Sequence, residues 1–302
     1  SALSGVKKIK VVAVQQIYNE FASGNMDVSA IRNYSRFLYW RGGGAASPYR
    51  YLLLVGKPYY QLRMRHEDLN LIPNYQSEIS INSDLSFGSD DIFGFLDPNE
   101  TAERGELDIG IGRYAVYQTD QADQLIRHEQ AYHTLANWGA WLTHAVMLAD
   151  DEDGLAYMRG SDSMAVRIEN ERKDITIRRL YVDAFRQDNS WGKAHYSAVN
   201  KELNQTMNKG AYLLNYVGHG STYRLGHEYF FTFDDAASWR NLRTLPVLVA
   251  ASCFFASADW EGDFPLGQSM LFMPQGGSIA LIAASRLTFN YSNQVFNAHL
   301  LR

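Results

Sequence analysis

The stretch Ala211-Tyr212-Leu213-Leu214-Asn215-Tyr216-Val217-Gly218-His219-Gly220-Ser221 decides how the rest of the chain is read. Its first seven residues are apolar or aromatic except Asn215, and a glycine closes the run, which is how a buried strand reads. A second run, Leu245-Pro246-Val247-Leu248-Val249-Ala250-Ala251-Ser252, ends in Cys253, the one cysteine of the chain. Ligands of open α/β sheets bind beyond the carboxyl ends of the strands. A Cys and a His leaving two such ends point to one crevice, and to a thiol nucleophile with its general base.

Outward from these runs, short apolar segments alternate with amphipathic ones. Strands are expected at 9–14, 51–56, 107–113, 144–149, 175–182, 211–217, 245–252 and 278–284. Helices are expected near 28–40, 120–138, 162–173, 194–208 and 265–273, with Asp27 and Thr119 as N-caps of the first two. Alternating βα units imply an α/β fold with mostly parallel sheets flanked by helices. A boundary near 138–143 would give two α/β subdomains, 1–140 and 141–302. Residues 57–106, with three of the seven prolines and the acidic run Ser89-Asp90-Asp91, read as a loop-rich insertion in the first.

Composition narrows the function classes. The 302 residues are 46% hydrophobic and 20% charged, ordinary for a globular protein. A formal charge of −5 gives no electrostatic reason to expect nucleic acid as a partner. One cysteine rules out an intrachain disulfide framework and a zinc site built on several thiolates. The longest apolar stretches, 245–256 and 278–284, fall short of the roughly 20 residues of a spanning helix. The opening Ser1-Ala2-Leu3-Ser4-Gly5 and the helical ending Ala298-His299-Leu300-Leu301-Arg302 read as the edges of a piece of a longer protein.

A thiol attacks as thiolate, and an imidazole beside it takes the proton and later returns it to the leaving group. The amides of Gly220 and Cys253 are candidates for an oxyanion hole. Taken alone, Cys253 also reads as a buried small hydrophobe, as free cysteines often are. Two further pairs carry metal-ligand types, His227-Glu228 and His128/His133. The second pair is five residues apart on a helix and does not share a face.

The segment Asn215-Tyr216-Val217-Gly218-His219-Gly220-Ser221, with a strand ending Ala251-Ser252-Cys253, resembles the gingipain-type (C25) cysteine peptidases, which have a caspase-like fold. Further stretches resemble one branch of that family, the type IX secretion sortases. They are Ile17-Tyr18-Asn19-Glu20-Phe21, Ser89-Asp90-Asp91-Ile92-Phe93-Gly94-Phe95-Leu96-Asp97, Leu107-Asp108-Ile109-Gly110-Ile111-Gly112-Arg113, and Gly276-Gly277-Ser278-Ile279-Ala280 followed by Ala284-Ser285-Arg286. The resemblance implies that Cys253 is the nucleophile and His219 its base. It implies an acid that orients the imidazole, within Asp150-Asp151-Glu152-Asp153 and best aligned at Asp151. It places Asp162 where Arg- and Lys-specific relatives hold a specificity acid, although Asp162 equally reads as the cap of a helix from Ser163. Phe289 or Tyr291 would lie against the substrate's P1 residue. One departure is the apolar Cys253-Phe254-Phe255-Ala256-Ser257-Ala258-Asp259-Trp260-Glu261, unexpected beside an open cleft.

No cofactor is required by this reading. A structural calcium on the carboxylates of Asp90, Asp91 and Asp97, with Glu100 near, is the family's suggestion. Three functions stay open. The first is a sortase that cleaves C-terminal sorting domains from secreted cargo and passes the acyl group to a surface-glycan amine, alongside other outer-membrane secretion proteins. The second is a secreted Arg/Lys endopeptidase. The third is a non-catalytic module of the secretion machinery. The first and third place the chain at the bacterial outer-membrane surface, the second outside the cell.

Overall fold

The computed structural model describes residues 8–60, 71–79, 82, 85–102, 104–189, 192, 194–260 and 264–301. Ser1–Gly5, Glu261 and parts of the 57–106 insertion lie outside the described residues. Contacts divide the chain into two compact units, residues 1–77 with 88–117 and residues 78–87 with 118–302.

The smaller unit contains α1 (Val14–Phe21), α2 (Val28–Arg41), β1 (Tyr51–Val55), β2 (Tyr75–Gln76), β3 (Gly88–Ser89) and β4 (Gly110–Tyr114). Asp27 caps α2, its Oδ1 accepting from the Ser29 amide at 2.7 Å. β1 and β4 pair in parallel, and Ile17, Tyr18, Ile31, Leu54 and Phe93 form the core beside them. The strand expected at 9–14 is absent: residues 9–13 join no ladder, and α1 begins at Val14. A run as short as Val11–Val14 carries no period that separates strand from helix. From β4, the Arg113 guanidinium donates to the carbonyls of Gly56 and Ile72 and grips Asp90 of the insertion in a two-pronged ion pair at 2.7 Å.

In the larger unit, α3 (Thr119–His133), β5 (His144–Ala149), α4 (Ala156–Glu171), β6 (Thr176–Tyr181), α5 (Ser197–Lys209) and β7 (Leu213–Val217) come first. There follow β8 (Arg224–Leu225), β9 (Phe231–Thr232), α6 (Phe233–Ser238), β10 (Val247–Ala251), α7 (Leu266–Ser269), β11 (Ala280–Ala283) and α8 (Asn290–Leu300). Five strands form one parallel sheet in the order β11-β10-β7-β5-β6. Successive side chains of a strand face opposite sides. Val146, Leu148, Leu214, Tyr216 and Leu248 therefore pack one way, against Leu203 and Met207 of α5. Met147, Ala149, Val217 and Ala251 pack the other way, against Tyr157 and Met164 of α4. Burial on both faces is why these strands read as unbroken apolar runs.

The division between units falls at Tyr117–Gln118, not near 138–143. α3 belongs with the larger unit, where buried His128 meets the Met273 carbonyl through Nε2 at 2.8 Å. An amphipathic pattern says that a helix buries a face, not which sheet receives it. The N-cap of α3 is Gln118, whose amide donates to Gln121 Oε1 at 3.2 Å, and Thr119 is the first helical residue. Strand order reverses between β5 and β7, because the chain runs from β5 out to β6 and returns across β5. The crevice at such a reversal is the usual ligand site of an open α/β sheet.

Candidate active site

Three strand ends build the site. β7 and β10 are parallel neighbours with Val217 opposite Ala251. His219 and Cys253 each follow two residues later, so they leave the sheet at matched depth. Adjacent strands lie about 4.8 Å apart. The Gly218 amide donates to the Ala251 carbonyl, and a Cβ on Gly220 would stand 2.7 Å from Ser252 Oγ. Only glycine lets the two turns come this close. Among the described residues neither the Gly220 nor the Cys253 amide donates to a protein acceptor, the state an oxyanion hole needs. Phe254, directly after the cysteine, has φ 59, in the left-handed region that costs a non-glycine residue roughly 1–3 kcal/mol.

The Cys253 sulfur is partly buried, and the Thr288 amide donates to it at 3.4 Å. The loop after Cys253 is tied to the exit of β11. Phe254 and Ala256 amides donate to the Arg286 and Ala284 carbonyls, and Arg286 holds buried Asp259 through two contacts of 2.7 Å. Phe255 enters the core beside α7. The apolar character after Cys253 is thus in part an anchor that fixes the loop.

β5 contributes the acids. Asp150 is fully buried, and its Oδ2 accepts from the His219 amide at 2.9 Å and the Tyr216 hydroxyl at 3.2 Å. Burial, reinforced by Asp151, Glu152 and Glu228, pushes the Asp150 carboxyl up to about 7. Glu152 Oε2 lies 3.1 Å from His219 Nε2 and 2.9 Å from His227 Nδ1. The Tyr157 hydroxyl also meets His219 Nε2, at 3.3 Å, and the His227 ring stacks on that of His219 with centroids 4.5 Å apart. With a carboxylate on Nε2, Nδ1 is the nitrogen left to take a proton from sulfur.

Asp150 makes stability depend on pH. Between about pH 4 and pH 7 the native state holds a proton that the unfolded chain has released. Stability therefore falls as pH rises through that window. In EDTA, Asp150→Asn is expected to stabilise the protein at pH 8 relative to pH 5 by on the order of 3 kcal/mol compared with wild type. Urea titrations at both values check this, and equal pH dependence in the two proteins would refute it.

The model of peptidase family C25 matches residues 2–302. The chain belongs to peptidase family C25. Comparison with curated proteins gives no match. Among solved structures this C25 chain is similar to the Arg-specific cysteine proteinase gingipain R (RgpB), at 19% identity and a TM-score of 0.68, over 91% of this chain and 57% of that one. It is similar also to the complex of Porphyromonas gingivalis RgpB pro- and mature domains, at 19% identity and a TM-score of 0.70, over 96% and 61%. These likenesses show the gingipain-type, caspase-like fold. The C25 chain spans less than two thirds of either structure.

Several expected positions need correction. The carboxylate facing the imidazole of this C25 chain is Glu152, not Asp151. Asp151 turns away, its Oδ2 accepting from the Tyr196 hydroxyl at the start of α5. Successive side chains diverge around this turn, so three adjacent acids reach three different partners. Asp162 does not cap a helix. It lies inside α4, its Oδ1 taken by Arg179 Nε at 2.9 Å and the Tyr181 hydroxyl at 3.2 Å. Phe289 and Tyr291, at the entry to α8, are 58% and 81% exposed, so neither is a core residue. Within the acidic run the sequence reading preferred Asp151 to Glu152, and the residues it missed are Tyr157 and Thr288. Only the placement of the segment after Arg286 hinted at the last.

The expected metal ligands do not gather. Asp90 is spent on Arg113, the Glu100 carboxylate accepts from the Asp97 and Glu106 amides, and none of Asp90, Asp91 and Asp97 joins a ligand cluster among the described residues. Two clusters do form, one of Asp150, Asp151 and Glu228, the other of Glu152, His219 and His227. In the first, Asp151 Oδ1 and Glu228 Oε2 are buried without a hydrogen-bond partner. These hard oxygens suit calcium.

Proposed function

We propose that the chain is the catalytic core of a cysteine endopeptidase of the sortase type, like the type IX secretion sortase PorU. The observation that carries the reading is the in-register pairing of β7 with β10, which makes neighbours of the two strand ends that lead into His219 and Cys253 at the sheet's carboxyl edge. Cys253 sulfur attacks the cargo carbonyl ahead of the C-terminal sorting domain. The new C–S bond replaces the peptide C–N bond, and the thiol proton passes through His219 to the departing amine. The amides of Gly220 and Cys253 hold the developing oxyanion. A surface-glycan amine then attacks the thioester, His219 takes a proton from that amine, and the proton passes to sulfur as the new C–N bond forms and C–S breaks. Such a reaction belongs at the bacterial outer-membrane surface, among other secretion proteins. A calcium on Asp150, Asp151 and Glu228 would be structural, offsetting their charge beside the base.

Asp162 favours this reading over an Arg/Lys endopeptidase. An acid that recognises a basic P1 residue must present its charge to the pocket, whereas Asp162 already pairs with Arg179. The test uses the complete protein with a cargo bearing its sorting domain and a small amine such as hydroxylamine. Mass spectrometry should find the cargo's new end joined to the amine for wild type and no cleavage for Cys253→Ala. Rapid cleavage of short Arg or Lys peptides would instead establish the endopeptidase. An intact cargo together with a Cys253 inert to iodoacetamide would leave the non-catalytic module.

A further inference from the structure

We propose that Glu152, His219 and His227 form an inhibitory site for a borderline divalent transition ion, Zn²⁺ above all. Two imidazoles and one carboxylate with an open fourth position are a recurrent zinc donor set. Here the donor atoms all lie within 4.8 Å of one another. Glu152 Oε2 stands 3.1 Å from His219 Nε2 and 2.9 Å from His227 Nδ1. Donors of a tetrahedral shell with 2.0–2.1 Å bonds are about 3.3 Å apart, so the carboxylate needs little movement.

A second observation points the same way. Glu152 Oε2 is buried yet accepts no aligned hydrogen bond, although two ring nitrogens converge on it. Buried carboxylate oxygens left in this state ask for a cation. Asp150 and Glu228 add negative field at His227. The rings stack at 18°, and a metal must lie in the plane of each, so one ring has to turn. His227 is the more exposed of the two, 56% against 35% for the side chains, and is the ring that turns.

Inhibition follows from proton bookkeeping. A neutral imidazole has one lone pair for bonding and one N–H. A metal that takes the lone pair of His219 Nε2 leaves the proton on Nδ1, and Nδ1 is the nitrogen that must accept the thiol proton. The ion therefore locks the base in the tautomer that cannot act, without touching sulfur. Binding is independent of the proposed function; the inhibitory consequence rests on it.

The experiment uses the 302-residue chain carrying Cys253→Ala, so that the thiol cannot serve as a ligand. Zn²⁺ is titrated by calorimetry, and Co²⁺ by its visible absorption, both with millimolar Ca²⁺ present to fill the carboxylate cluster. About one Zn²⁺ should bind per chain, and Co²⁺ should give the intense bands of a tetrahedral centre. His227→Gln in the same background should weaken Zn²⁺ binding at least about 100-fold, since loss of even an outer partner costs 10–100-fold. Equal affinity with and without His227, or no binding below about 0.1 mM, would overturn the site. In the protein with Cys253 intact, Zn²⁺ should inhibit cleavage and His227→Gln should relieve it. If there is no cleavage to inhibit, the calorimetric arm still decides the site. If cleavage proceeds and Zn²⁺ does not bind, the site falls and the peptidase reading stands.

Discussion

Cys253→Ala is expected to lower cargo cleavage by about 10,000-fold or more, and His219→Ala to bring it to the same floor. Nucleophile and base act as a unit, so the double variant should fall no lower than either single one. The strand ends supply the reason: each residue stands two positions beyond a paired position of adjacent parallel strands. Cys253 is only partly buried and, among the described residues, its sulfur's hydrogen-bonding contacts are to Thr288, so the loss should come with little change in thermal midpoint. Single-turnover rates and melting curves measured together check both halves. Retention of more than about a tenth of the activity by either single variant would exclude the dyad.

Asp259→Ala is the substitution expected to cost most stability, roughly 3–5 kcal/mol. The Asp259 side chain is 1% exposed and Arg286 is 14% exposed, so the alanine takes the Asp259 carboxylate away from a buried guanidinium. The Arg286 carbonyl also receives the Phe254 amide, which couples this ion pair to the strained turn after Cys253. Arg286→Met together with Asp259→Ala should recover a good part of the loss, because removing both charges removes the desolvation penalty. Urea unfolding of the four proteins gives the coupling directly. A cost below about 1 kcal/mol for Asp259→Ala would mean that the pair is effectively solvated.

Legibility in the sequence followed burial. The strands covered on both faces, β5, β7 and β10, carry unbroken apolar runs, and their expected positions lie within two or three residues of the observed ones. The short helices α1 and α6 and the apolar lead-in at 9–13 were misread or missed, because a single turn or two of helix has too few residues to show a 3.6-residue period. α4 was placed late. Its first turn follows Asp153, Gly154 and Leu155, all at positive φ, a turn with no consensus cap to mark it.

By itself the sequence determined the α/β class, the buried runs of β5, β7 and β10, and the two strand ends from which His219 and Cys253 emerge. All of these follow from local runs and from what glycine, imidazole and thiol can do. Only the tertiary structure decided which of the adjacent acids meets the imidazole. A strand end launches Asp150, Asp151 and Glu152 in diverging directions, and partners far away in the chain, the His219 amide, Tyr196 and the His219 ring, select among them. It also decided that Asp162 belongs to Arg179, that Thr288 serves the sulfur, and that His227 stacks on the base. Each is a contact between separate elements or loops brought together by the sheet's strand order, which no local pattern encodes.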